Sequence, residues 1–136
     1  MRAVLDPNVV VSAVLSRSGT PAALLRAWLG GVYELVVSPA LLDELERVLS
    51  YPKIASRVSR EEARELLNVL RLQADLVADP VGAPSIASPD AGDDYLIALA
   101  EAASAVLVSG DADLLGLTGQ SPVYSPTAFL ALLSQL

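Results

Sequence analysis

Seven acids in this chain stand where they could do more than keep it in solution. The stretch VSGDADLL, residues 108–115, runs out of an apolar segment into Ser109-Gly110 and then sets Asp111 and Asp113 two apart. Near the start, the apolar run RAVL of residues 2–5 gives way to Asp6, Pro7 and Asn8; PDAGDD brings Asp90, Asp93 and Asp94, and PALLDELERVL carries Glu44. A carboxylate at the exit of a buried run must meet solvent, cap a helix or hold a cation. Taken singly, each has an ordinary explanation. Asp6 and Asp111 suit turns or helix caps, Asn8 an N-cap, Asp113 a tight turn, Asp93 and Asp94 the positive end of a helix dipole, and Glu44 a solvated face. Taken together they need a counter-charge, because two carboxylates about 4 Å apart repel by about 4 kcal/mol at an effective dielectric constant of about 20. A hard, oxygen-seeking Mg²⁺ or Mn²⁺ is the simplest one, and such a site activates water and stabilises charge on a phosphodiester, with one ion or a pair.

Other chemistries are excluded by what is missing. The 136 residues contain no cysteine and no histidine. That removes disulfides, thiolate metal sites, cysteine nucleophiles, the commonest zinc ligand and the commonest general base. The formal charge of −7 weighs mildly against binding nucleic acid. Its distribution matters more, since six of the nine basic residues fall between positions 47 and 71. The opening segment is broken by Asp6, Pro7 and Asn8, and no apolar run approaches the about 18 residues of a membrane span, so a soluble, cytoplasmic protein with no membrane partner is expected.

Positioning acids so far apart in sequence requires a particular architecture. Short β-branched runs at 2–5, 34–37, 75–78, 105–108 and 122–124 predict strands, and apolar periodicity predicts helices over 8–16, 21–29, 39–50, 59–72, 93–103 and 126–135. Breakers lie at Gly30-Gly31, Pro52, Pro80 to Pro89 and Gly116 to Pro122. This alternation in a chain long enough for one core predicts a single domain over 1–136. Its class is α/β, a three-layer α/β/α arrangement around a mostly parallel sheet of about five strands. In such sheets functional groups gather beyond the carboxyl ends of the strands. Asp6 ends the first strand and Asp111 follows the fourth. Asp94 lies in the first turn of the helix leading to that fourth strand, at the same rim. Glu44 sits at the edge of the stripe Leu41, Leu42, Leu45, Val48 and Leu49, with Glu46 and Arg47 further toward solvent.

The order VLDPNVVVSAVL, SPALLDELERVL, DAGDDYLIALAEAASAVLVSGDADLL and VYSPTAFLALL resembles the PIN domain family, within it the toxins of toxin–antitoxin systems akin to VapC. The resemblance runs from residue 2 to about 133. It implies metal-binding, catalytic acids at Asp6, Glu44, Asp94 and Asp111, supported by Asn8, Ser109, Asp113 and Asp93. It also implies a Mg²⁺- or Mn²⁺-dependent endoribonuclease, an antitoxin partner and a homodimer. One departure is Pro7, which stands where relatives carry a hydroxyl and offers no donor.

The basic segment has three readings. Arg57, Arg60, Arg64 and Arg71 share one broad face of the helix near 59–72, interleaved with Glu61, Glu62 and Glu65, which suits a salt-bridged surface, a rail for RNA or a cleft reached by an antitoxin's tail. Candidate RNA contacts are Arg57, Arg60 and Arg64. Two other functions compete with the ribonuclease. A phosphotransfer domain would want a lysine near a later strand end, and Lys53, the sole lysine, sits in a connection. A non-catalytic PIN-fold interaction module would keep the acids without using a metal.

Overall fold

A computed structural model describes residues 1–119 and 122–136. It contains β1 (Arg2–Leu5), α1 (Pro7–Leu15), α2 (Thr20–Leu29), β2 (Glu34–Val37), α3 (Pro39–Leu49), α4 (Pro52–Ala55), α5 (Arg60–Gln73), β3 (Asp75–Leu76), α6 (Asp94–Ala102), β4 (Val106–Val108), α7 (Ala112–Leu115), β5 (Val123–Tyr124) and α8 (Pro126–Leu133). The five strands form one parallel sheet in the order β3-β2-β1-β4-β5. From β1 the chain winds outward through β2 to β3, then returns over α6 to β4 on the other side of β1. With right-handed crossovers that reversal puts α6 on the opposite face from α1 and α3, giving the three layers. The C-terminal ends of β1 and β4 therefore flank the topological switch point, where α/β sheets open a crevice.

The same local device launches three helices from this rim. Asp6-Pro7, Ser38-Pro39 and Ser125-Pro126 each place a capping side chain at a strand exit and a proline in the first helical turn, where its missing N–H costs nothing. Asp6 accepts from Asn8 N–H, Ser38 from Leu41 N–H and Ser125 from Ala128 N–H. Helix α5 begins instead with a reciprocal capping box between Ser59 and Glu62. Helix α2 ends in a Schellman turn: Gly31 and Val32 donate to the Trp28 and Ala27 carbonyls, and Gly31 takes a φ of +82° that side chains resist.

The core is the apolar filling between sheet and helices, with Val4, Leu5, Leu35, Val36, Leu107, Val108 and Val123 from the strands fully buried. Helix α3 buries the stripe Leu41, Leu42, Leu45, Val48 and Leu49, and α6 buries Leu96 to Ala100 almost all round, packing on β1 and β4. Differences from the sequence expectation are local. Strand β3 is two exposed residues, because it pairs on one side only before the proline-rich segment begins at Pro80. Pro52 separates α3 from the short α4 that it opens, and α7 is a single turn capped by Asp111. No helix among the described residues is long and apolar enough to cross a membrane.

Candidate functional site

Register brings the first and last acids together. Leu5 pairs with Val108 across β1 and β4, so the next residues, Asp6 and Ser109, leave the sheet side by side. Asp6 is buried, 5 % exposed, and both carboxylate oxygens are satisfied: Oδ1 accepts from Asn8 N–H at 3.0 Å and Oδ2 from the Ser109 hydroxyl at 2.8 Å. The fully buried Ser109 Oγ also accepts from Asp111 N–H at 3.0 Å, and Asp111 accepts from Asp113 N–H at 2.7 Å to cap α7. One hydroxyl thus staples the two strand exits. Pro7 leaves no gap in this arrangement, because Asn8 and Ser109 supply both donors to Asp6. Burial pushes the Asp6 carboxyl above its usual range, the two hydrogen bonds oppose that, and the charges of Asp111 and Glu44 add to it.

Asp6 and Asn8 wall two clefts. One, of about 220 Å³, is lined also by Glu44, Arg47, Asp90, Asp93 and Tyr95; the other, of about 330 Å³, by Ser12, Gly110 and Asp111. Asp93 ends a 3₁₀ turn, Ala91–Asp93, and its Oδ2 is buried with no hydrogen-bond partner among the described residues. Its carboxyl is pushed up to about 6, first by desolvation and then by the charges of Asp111, Asp90, Asp6 and Asp113. Asp90 is held in a nested turn: its Oδ1 accepts from Gly92 N–H and its carbonyl from Asp93 N–H. Tyr95 is pushed well above the ordinary tyrosine value by burial and by Glu44, Asp6 and Asp93.

Asp94, expected among the catalytic acids, is placed elsewhere. Its Oδ1 accepts from Ser88 N–H at 2.8 Å, and it lines a separate hollow of about 200 Å³ with Ala40, Asp79 and Pro84. The reason is helical geometry. One residue turns the side chain by about 100°, so where Asp93 enters the acidic cleft, Asp94 turns under the preceding loop. Asp113 is exposed and lines neither cleft. Glu44 is half-buried and reaches the cleft, but Arg47 grips it, with Nη2 2.5 Å from Oε1 and Nε 3.0 Å from Oε2. The sequence reading missed Arg47 and Tyr95 as cleft residues. The available signals were the i,i+3 spacing of Glu44 and Arg47 and a lone phenol in the first turn of α6, next to Asp93 and Asp94.

A model of the PIN domain matches residues 2–113, which span all seven acids. The chain belongs to the PIN domain family. No curated protein matches it. Among solved structures, this PIN domain is similar to PAE2754 from Pyrobaculum aerophilum, at 15% identity and TM-score 0.66 over 100% of this chain and 91% of the other. It is also similar to VapBC2 from Rickettsia felis, whose structure holds a promoter DNA fragment, at 16% identity and TM-score 0.61 over 92% of this chain and 97% of the other. At that identity the likeness is one of fold.

The PIN domain's acids suit a hard divalent ion by donor type. Asp6, Glu44, Asp93 and Asp111 offer only carboxylate oxygens, and the buried Asp93 Oδ2 is an unused donor. They are not closed around a point: among the described residues no three acids stand in a metal-holding group, and Glu44 is engaged with Arg47. Of the basic residues, Arg60, Arg64 and Arg71 line a groove of about 610 Å³ together with Leu49, Val58 and Leu67. Arg57 does not join them, since its guanidinium donates to the Leu15 carbonyl at 3.3 Å.

Proposed function

We propose that this PIN domain is a Mg²⁺- or Mn²⁺-dependent endoribonuclease acting in the cytoplasm as the toxin of a toxin–antitoxin pair, with Asp6, Glu44, Asp93 and Asp111 as its metal-holding acids. The observation that carries the reading is the acidic cleft beside the switch point, where Asp93 Oδ2 is buried among other carboxylates with no hydrogen-bond partner among the described residues. Such an arrangement must take up either a proton or a cation, and a cation makes it useful. A bound ion would supply Lewis acidity and an activated water. The chain's own residues do the rest. Asn8 N–H and Ser109 orient Asp6, Asp113 N–H orients Asp111, and Arg60 and Arg64 offer phosphate contacts along a neighbouring groove. The partnership with an antitoxin that blocks this cleft, and a homodimer, belong to the same proposal, drawn from the family resemblance and the VapBC2 likeness.

The test is cleavage of mixed single-stranded RNA in Mg²⁺, Mn²⁺ and EDTA by the parent, Asp93→Asn and Asp94→Asn. Cutting that needs metal and Asp93, and survives Asp94→Asn within about threefold because an amide oxygen still accepts from Ser88 N–H, supports the reading. The reverse ranking of the two variants would return Asp94 to the site. The grip of Arg47 on Glu44 favours the second reading, a PIN-fold interaction module without catalysis. Titration with Mn²⁺ separates them: the module binds none.

A further inference from the structure

Among the described residues Arg47 is the one cation lining the acidic cleft, and it is held from two sides. Its Nε and Nη2 take both oxygens of Glu44, while Nη1 donates to the Tyr51 hydroxyl at 2.5 Å and the guanidinium carbon lies 5.6 Å from the Tyr51 ring centre. Tyr51 would therefore keep the guanidinium on the cleft wall if Glu44 left it. The pair is also easy to open. The Arg47 side chain is 59% exposed and that of Glu44 31%, so solvent screens their attraction and the bridge costs little to break. The fork that grips Glu44 matches a phosphate equally well. The charges make that exchange useful. Asp6, Glu44, Asp90 and Asp93 face this cleft against Arg47 alone, so an RNA phosphate approaching without a free cation would meet repulsion.

We propose, on the basis of the metal-dependent ribonuclease reading, that Arg47 is a transferable counter-ion. It neutralises Glu44 until Glu44 turns to a divalent ion, and its guanidinium then takes a phosphate of the RNA. Arg47 thereby competes for Glu44, lowering metal affinity while it couples metal binding to substrate binding. An ordinary surface bridge of the same spacing would do neither.

The experiment compares parent, Arg47→Met and Arg47→Lys by Mn²⁺ calorimetry without RNA, and by the fluorescence anisotropy of a labelled single-stranded RNA with and without Ca²⁺. Thermal melts by circular dichroism confirm folding, with Arg47→Lys as the gentler change should Arg47→Met fail to fold. Freeing Glu44 should tighten Mn²⁺ binding by about two- to fivefold in Arg47→Met, the scale of an exposed ion pair. The same variant should lose most of the gain in RNA affinity that Ca²⁺ gives the parent, with Arg47→Lys in between. Unchanged or weaker Mn²⁺ binding in Arg47→Met, beside a parent that binds metal and cuts RNA, overturns the inference and leaves the ribonuclease standing. Tighter Mn²⁺ binding with an undiminished Ca²⁺ effect on RNA overturns the phosphate half. Absence of Mn²⁺ binding in parent and variants alike overturns the ribonuclease reading and this inference with it.

Discussion

The two halves of the acidic rim are held by different means. On the strand half, Asp6, Ser109 and Asp111 sit where backbone register leaves them: Asp6 N–H donates to the Val108 carbonyl at 2.9 Å and Ser109 N–H to the Tyr124 carbonyl at 3.0 Å, before any side chain contributes. On the loop half, residues 78–90 have neither strand nor helix, and side chains do the holding. Asp79 accepts from Ala40 N–H, Asp94 from Ser88 N–H, and Glu101 from both Ser85 N–H and the Ser85 hydroxyl. Three carboxylates are thus occupied with tethering the chain that presents Asp90 and Asp93. An acid's proximity to a site in sequence says little about its role when the backbone around it has no ladder of its own. Some acids there secure the loop so that others can face the cleft.

The strongest way to break this comparison is to attack its strand half. Asp6→Asn should reduce RNA cutting by at least about a hundredfold, since losing even a partner of a metal ligand costs about ten- to a hundredfold. The fold should survive, because the Ser109 hydroxyl is free to rotate and accept from the new amide. Initial rates beside circular dichroism decide it, and cutting within tenfold of the parent would remove Asp6 from the chemistry. Next comes the staple. Ser109→Ala deprives Asp6 Oδ2 of its donor and Asp111 N–H of its acceptor, so unfolding in urea should show a loss of about 1–3 kcal/mol together with about tenfold weaker cutting. If neither changes, the strand exits are not held by this hydroxyl.

The smallest effect sharpens the loop half. A carboxyl whose value in the folded protein is about 6, above its ordinary 3.8, favours folding most below about pH 4 and gives up that contribution as the pH rises through about 6. Metal-free protein should therefore lose stability between about pH 4 and 7, by at most about 1 kcal/mol because Asp93 is partly solvent-screened. Asp93→Asn should flatten the slope, and Mn²⁺ should reverse it in the parent. Thermal melts across that range measure it. A slope as steep in Asp93→Asn would trace it to another group, with the raised Asp6 carboxyl the first to examine.

Much of this was legible beforehand for identifiable reasons. The runs RAVL, ELVV and AVLV are too short and β-branched for helices and too apolar for surface loops, and the pairs Asp6-Pro7, Ser38-Pro39 and Ser125-Pro126 mark strand-to-helix turns by capping chemistry alone. Glu44 was placed at the edge of its stripe because helical periodicity over α3 is unambiguous, and there it lies. Legibility failed where position depends on contacts between distant segments. Arg57 is expected on the helical face of Arg60, yet it lies before the Ser59 cap, outside α5, and turns to the Leu15 carbonyl, while Arg60 lines the α3–α5 groove.

By itself the sequence determined the parallel α/β sheet, the strand exits that carry Asp6 and Asp111, and a donor set of oxygen alone, since it contains no histidine or cysteine. Only the tertiary structure shows which of Asp93 and Asp94 lines the acidic cleft. The two are neighbours of identical chemistry, and a turn of about 100° separates their directions. Which one faces the acids depends on where the 3₁₀ turn hands over to α6 and on the bond that draws Asp94 back to Ser88. The same holds for Arg47, whose place on the cleft wall is set by packing that brings α3 beside α1 and the loop before α6, contacts that no local pattern encodes.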